Sequence, residues 1–103
     1  MKKIIFYVPL NDAGPVKEAL FDVGAGCIGN YEKCSFEVRG VGQFKPLQGA
    51  KPTIGKVDQI EQVDELRVEM ICEDHLLSRA ISELKKSHPY EEPAIDILEL
   101  YQL

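Results

Sequence analysis

The chain opens on a run that is apolar at almost every position, Ile4-Ile5-Phe6-Tyr7-Val8. Its β-branched and aromatic side chains predict a strand over Lys3 to Val8. Apolar residues at alternate and intervening positions alike predict that both faces of this strand are covered. Asn11 or Asp12 then offers a helix cap, and Val16, Ala19, Leu20 and Val23 recur at the i, i+3, i+4, i+7 spacing of one helical face. Pro15 suits the first turn and Gly24 the position just past the last. From Cys34 the period drops to two: Cys34, Phe36 and Val38 alternate with Ser35, Glu37 and Arg39, as in a half-covered strand. The glycines and prolines from Gly40 to Gly55 predict an irregular arm, Gly40 to Gln62. Alternation resumes at Leu66, Val68, Met70 and Cys72 against Glu65, Arg67 and Glu69. Asp74 offers a cap for a second helix with Leu77, Ala80, Ile81 and Leu84 on one face. That helix is expected to stop before His88-Pro89, since the residue ahead of a proline is driven out of the helical region. Ala94 to Tyr101 reads as a closing strand.

The order β-α-β-β-α-β predicts an α+β, ferredoxin-like domain: an antiparallel sheet with two helices on one face. No repeat or linker divides the chain, so one domain over residues 1–103 is expected. One sheet face is left without helices. The sets Ser35, Glu37, Arg39 and Glu65, Arg67, Glu69 are expected on it, beside the apolar first strand. An apolar central strand on an open face calls for cover, and a homo-oligomer, trimer or dimer, assembling through the helix-free face is the expectation.

Composition narrows the function classes. The 103 residues carry 12 Lys+Arg against 17 Asp+Glu, a net charge of −5, with no long basic run. Phosphate neutralisation by Lys and Arg dominates nucleic-acid affinity, so nucleic acid is not an expected partner. The opening apolar run is far shorter than the roughly 20 residues of a membrane span, and Pro9 and Asn11-Asp12 end it without a cleavage signal. A cytoplasmic protein with no membrane partner is expected. Cys27, Cys34 and Cys72 form no C-x-x-C pair, which predicts reduced and mostly buried thiols.

Gly24-Ala25-Gly26-Cys27-Ile28-Gly29 fits the dinucleotide pattern G-x-G-x-x-G, but a helix precedes it and a strand follows, the reverse of what pyrophosphate binding needs. Gly49 to Val57 imitates a phosphate loop with the wrong spacing and no hydroxyl after its lysine. The unusual segment is His88-Pro89-Tyr90-Glu91-Glu92-Pro93, an imidazole, a phenol and two carboxylates between prolines. His88 and Glu92 are weak candidates for a divalent metal, although a catalytic zinc normally takes three protein ligands. The plainer alternative is a rigid crossing whose polar groups pair with each other and with Arg67 or Arg39. Candidate ligand-binding residues are therefore Glu65, Arg67, Glu69, His88, Tyr90, Glu91 and Glu92. No catalytic residue and no required cofactor are predicted.

Six segments in order then carry a resemblance: Phe6-Tyr7-Val8-Pro9, Gly24 to Phe36, Gly40 to Pro46, Gly49 to Gly55, Glu65 to Glu69, and His88 to Ala94. Together they strongly resemble the YqfO-type domain, the CutA/PII-like insert of NIF-three-like proteins, which also occurs as a free-standing chain. The resemblance covers nearly the whole length. It implies a CutA/PII-like fold that associates through its sheets, commonly as trimers. It also implies that the Gly40–Gln62 arm occupies the place of the partner-contacting loop of PII proteins. The larger NIF-three-like proteins, known also as GTP cyclohydrolase type-two homologues, hold a dimetal site whose ligands belong to flanking domains. Neither those metals nor that activity is expected here. A non-enzymatic binding or regulatory module is the reading this supports, with a CutA-like divalent-metal binder as the alternative and an enzyme on a phosphorylated metabolite third.

Overall fold

The computed structural model describes residues 1–101. Strand β1 (Lys2–Pro9) leads through a single 3-10 turn into helix α1 (Ala13–Asp22). A loop follows, then β2 (Phe36–Phe44) and β3 (Glu61–Cys72), a second 3-10 turn, helix α2 (Leu77–Ser87) and β4 (Ile95–Glu99). The sheet order is β2-β3-β1-β4 and every pairing is antiparallel. This is the ferredoxin-like arrangement expected from the periodicity.

The core lies between the sheet and the helices. Ile4, Phe6 and Val8 point to it from β1 and Val68, Met70 and Cys72 from β3, against Val16 and Leu20 of α1 and Ala80 and Leu84 of α2. Phe6, Leu20 and Leu84 are fully buried. Each such side chain contributes about 1.5–3 kcal/mol relative to an exposed one. α1 ends as the glycine pattern predicts: Gly24 adopts φ 100° and donates its N–H to the Phe21 carbonyl at 3.0 Å. Gly26, at φ 80°, sits so close to the turn that closes back on it that a Cβ there would lie 2.8 Å from the Cys34 carbonyl oxygen.

Several local expectations are corrected. Neither helix uses its expected cap: Asn11 lies in the 3-10 turn, and Asp12 at the start of α1 makes no side-chain cap bond. Asp74 accepts instead from the Met1 ammonium at 2.6 Å and from Lys2 at 3.1 Å, which holds its carboxyl below the usual range. Of the cysteines only Cys72 is buried; Cys27 is exposed and Cys34 half-buried. β4 is shorter than Ala94–Tyr101, though the Leu100 N–H still reaches the Met1 carbonyl at 3.1 Å.

The largest corrections concern β2. It does not give way at Gly40 but continues to Phe44, with Gly40 opposite Glu65, Gly42 opposite Val63 and Phe44 opposite Glu61. Of the expected arm, residues 45–60 alone are irregular. β1 ends opposite Glu65, so the hairpin beyond that point projects as a two-stranded ribbon and draws the molecule out to 46 × 24 × 24 Å. β2 also presents the opposite faces from those expected. Phe36 and Val38 pair with Glu69 and Arg67 and so share the helix-free side, while Glu37 and Arg39 face the other way. The reason is position: β2 is at the sheet's edge, where Glu37 on the helix side meets α1 through a salt bridge to Lys17 at 2.8 Å. The helix-free face thus carries exposed Phe36 (66%), Val38 (50%) and Leu98 (48%) beside half-buried Tyr7, whereas Ile5 on the same side is already buried within the single chain.

Gly42 explains why a glycine stands inside a strand. A Cβ at this position would collide with the Glu65 carboxylate, which lies across its backbone. Gly42→Ala is therefore expected to displace Glu65 and lower the stability of the fold by about 1–3 kcal/mol, read as a lower urea midpoint. An unchanged midpoint would mean that Glu65 turns away freely.

Candidate functional site

The prolines of His88 to Pro93 hold an extended crossing between α2 and β4, and its first residue is fixed by the sheet. β4 pairs with β1 only as far as Phe6. At the next residue the Tyr7 carbonyl is met by His88 Nε2 at 2.7 Å, so a side chain takes over where the strand stops. The backbone N–H of Tyr90 donates to His88 Nδ1 at 3.1 Å, which fixes Nε2 as the protonated nitrogen. His88 is buried, its ring edge-on to Phe6 at 6.4 Å. Burial holds its pKa below the ordinary 6.5, against the opposing pull of the Tyr7 carbonyl. Both ring nitrogens are occupied, which leaves no lone pair free for a metal.

Tyr90 carries the contact onward. Its hydroxyl donates to Glu65 Oε2 at 2.6 Å, and burial, reinforced by that carboxylate, raises its pKa well above the usual phenol value. Its ring lies 6.0 Å from that of Phe44 and 4.9 Å from that of His88. Glu65 is itself only 8% exposed. Tyr7, His88, Tyr90 and Glu65 therefore form one connected polar chain tying β1, the crossing and β3 together, of the kind that holds a single geometry when every member is satisfied.

The irregular segment 45–60 closes over this chain. Thr53 Oγ1 donates to the Pro89 carbonyl at 2.7 Å and the Lys51 N–H to Glu91 Oε1 at 3.1 Å. The Asp58 N–H donates to the Pro46 carbonyl at 2.7 Å and closes the segment's own base. Between ribbon, segment and crossing lies a groove of about 1150 Å³. Of the seven candidate residues it gathers five: Glu65, Arg67, Tyr90, Glu91 and Glu92. His88 stands behind the wall as a support. Glu69 lies outside, between Lys3 and Arg67 at 3.4 Å from each. The crossing's polar groups do not pair with the arginines: Arg39 bonds Asp64 at 3.2 Å and Arg67 pairs with Glu69.

Sequence reasoning missed Tyr7, Gly42, Phe44 and Thr53. Phe44 and Gly42 were hidden because the glycines masked the period of two running from Phe36 through Val38 to Phe44. Among the described residues no group of three or more metal-binding side chains is assembled.

The fold is that of a small ferredoxin-like domain, similar in its course to CutA. CutA from Archaeoglobus fulgidus, named a periplasmic divalent cation tolerance protein, superposes with a TM-score of 0.70 over 99% of this chain and 86% of that one, at 18% identity. No family model matches the chain. The kinship comes from longer proteins. A Staphylococcus aureus protein named GTP cyclohydrolase 1 type 2 homolog is 45% identical over 97% of the chain. A Bacillus cereus protein related to NIF3 is 40% identical over 98% of it, with a TM-score of 0.85. The chain is thus homologous to one segment of the NIF-three-like proteins, as the YqfO-type motifs implied. It spans 27% of the first of these relatives and 26% of the second.

The polar chain makes a pH prediction. Well above 6.5 the His88 ring is neutral in folded and unfolded chains alike. As pH falls below that value the unfolded chain takes up a proton that the folded one resists, so stability declines until the lowered folded pKa is passed. His88→Gln keeps an N–H for the Tyr7 carbonyl but does not titrate. It is expected to flatten the stability profile between about pH 7 and pH 5 while costing about 1–3 kcal/mol at neutral pH, both measured by urea unfolding. A profile as steep as that of the unsubstituted chain would remove His88 as its source.

Proposed function

We propose that this chain is a non-enzymatic binding and regulatory module that works as a homo-oligomer and holds a ligand in the groove beneath its ribbon. The observation that carries the reading is the groove itself. It is concave and partly apolar, and its wall includes Arg67, the Phe44 ring and the buried Glu65 carboxylate that a connected polar chain ties to Tyr90. Binding needs such a preorganised constellation. Catalysis would further need a nucleophile or general base poised over open space, and the imidazole and the phenol here are committed, His88 at both nitrogens and Tyr90 through its proton to Glu65.

Assembly is proposed through the helix-free face, where Phe36, Val38 and Leu98 leave an apolar surface beside Tyr7. Tyr7, Val38 and Arg67 line the groove as well as belonging to that face. A second copy seated there would wall the groove on its open side, so that ligand and assembly state depend on each other. Such a dependence is what a regulatory module requires. The ribbon tip, with Leu47 and Ile60 exposed, is the surface offered to a protein partner.

Light scattering on the purified chain is expected to give a multiple of the 11.6 kDa mass at micromolar concentration. The double substitution Phe36→Lys with Val38→Glu is expected to yield a folded monomer. A monomer without any substitution would overturn assembly through this face.

A further inference from the structure

The groove's charges specify a ligand more narrowly than its volume does. Its lining holds three cationic side chains, Arg39, Lys45 and Arg67, and three anionic ones, Glu65, Glu91 and Glu92. A polyanion gains no net attraction from such a wall. Two of the six share one face of β3, Glu65 buried and Arg67 half exposed. Glu65 is 8% exposed and only its Oε2 receives a proton donor, Tyr90; its Oε1 lies over the bare backbone of Gly42 with no donor among the described residues. Oε1 is not sealed from solvent, so one oxygen of a largely buried carboxylate stays open to the groove and can accept from a cation or an N–H donor. Arg67, two residues along the same face of β3, uses only Nε, toward Glu69 at 3.4 Å. Its terminal nitrogens have no partner among the described residues and suit a carboxylate, which a guanidinium grips with two parallel bonds.

Glu65 and Arg67 lie two residues apart on one face of β3, about 7 Å between their Cα atoms, and both line the groove with opposite charges. Beside Glu65 stand the Phe44 and Tyr90 rings, 6.0 Å apart and tilted by 55°, a favourable surround for an ammonium. Val38, Pro46 and Ile54 add apolar wall.

We infer that the groove binds a small zwitterion, an amino acid with an apolar or aromatic side chain. Its ammonium sits on Glu65 Oε1, its carboxylate on Arg67 and its side chain against the apolar wall. The inference rests on the binding-module reading and names the ligand class of the same groove. Glu65 is the specificity residue for the amine and Arg67 for the acid. Gly42 is the position that lets the carboxylate reach the floor.

The test is titration of the full chain with each standard amino acid, followed by calorimetry and by the NMR shifts of the Gly40 and Gly42 amides. An apolar or aromatic amino acid is expected to saturate both signals with a dissociation constant below about 1 mM. Its N-acetyl derivative, which lacks the cation, and its C-terminal amide, which lacks the anion, are each expected to bind at least about tenfold more weakly. Glu65→Gln, which keeps an acceptor for Tyr90, should abolish the preference over the N-acetyl form. Arg67→Gln should abolish the preference over the amide. Those paired losses of discrimination read each pole separately from any loss of stability. Derivatives binding as well as the parent amino acid would overturn the zwitterion. So would perturbation of the same amides only by adenosine triphosphate, a polyanion, though binding in the groove would then stand. If amino acids, adenosine triphosphate and fractionated metabolite extract all leave both amides unmoved, this inference and the binding-module reading fall together.

Discussion

Two helices of ten and eleven residues can cover only the middle of a four-stranded sheet, and that constraint organises the molecule. α1 and α2 bury their apolar faces against β1 and β3, where the whole core cluster sits. Strand β2, at the edge, meets them at the Lys17–Glu37 salt bridge and contributes nothing to the core cluster. It is freed from the usual demand that apolar side chains face the helices, so Phe36 and Val38 turn to the other side of the sheet. The same freedom lets the β2–β3 ribbon run past the end of β1 and stand clear of the core. An extension of this kind has no core beneath it to fix its direction. It is held instead by polar contacts at its base, Tyr90 to Glu65 and Thr53 to the Pro89 carbonyl.

The element order, the sheet's antiparallel character and the core-facing residues of β1, β3 and both helices were legible in the sequence. In each, a period of two or 3.6 is enforced by burial on one side and water on the other. Legibility failed where that asymmetry lapses. On β2 both sides face water or a neighbouring surface, so the alternation of Phe36 and Val38 with Glu37 and Arg39 was present but its direction was not encoded. Gly40 and Gly42 were misread for a related reason. Glycine breaks a strand by its entropy, yet here Gly42 makes room for the Glu65 carboxylate, and that need arises only once β2 and β3 are in register. The capping residues were misassigned because Asp74 found stronger partners in the Met1 ammonium and Lys2 than a helix N-terminus offers.

The site shows the same division. Glu65, Arg67, Tyr90, Glu91 and Glu92 stood out as unusual residue types and do gather around one groove. What the linear order concealed was their division of labour. Glu69 differs from Glu65 by two positions on one face, but it has Lys3 and Arg67 as neighbours and so becomes part of a surface ion pair. Glu65 has Tyr90 and a glycine and so becomes a buried acceptor. His88 stood out in the sequence as a candidate ligand-binding residue and a weak candidate for a metal. Its two nitrogens are instead spent on the Tyr7 carbonyl and the Tyr90 amide, making it the splice between β1 and the crossing where β4 leaves off.

The first and last strands lie side by side, Lys2 opposite Glu99, with the Leu100 N–H closing onto the Met1 carbonyl. Entry and exit of the polypeptide therefore occur at one point on the surface. A unit built this way can be spliced into a surface loop of a larger host without prising that loop apart, because the host sees only two neighbouring attachment points. The pairing of outer and inner strand thus supplies modularity, because it sets both attachment points at one edge of the sheet.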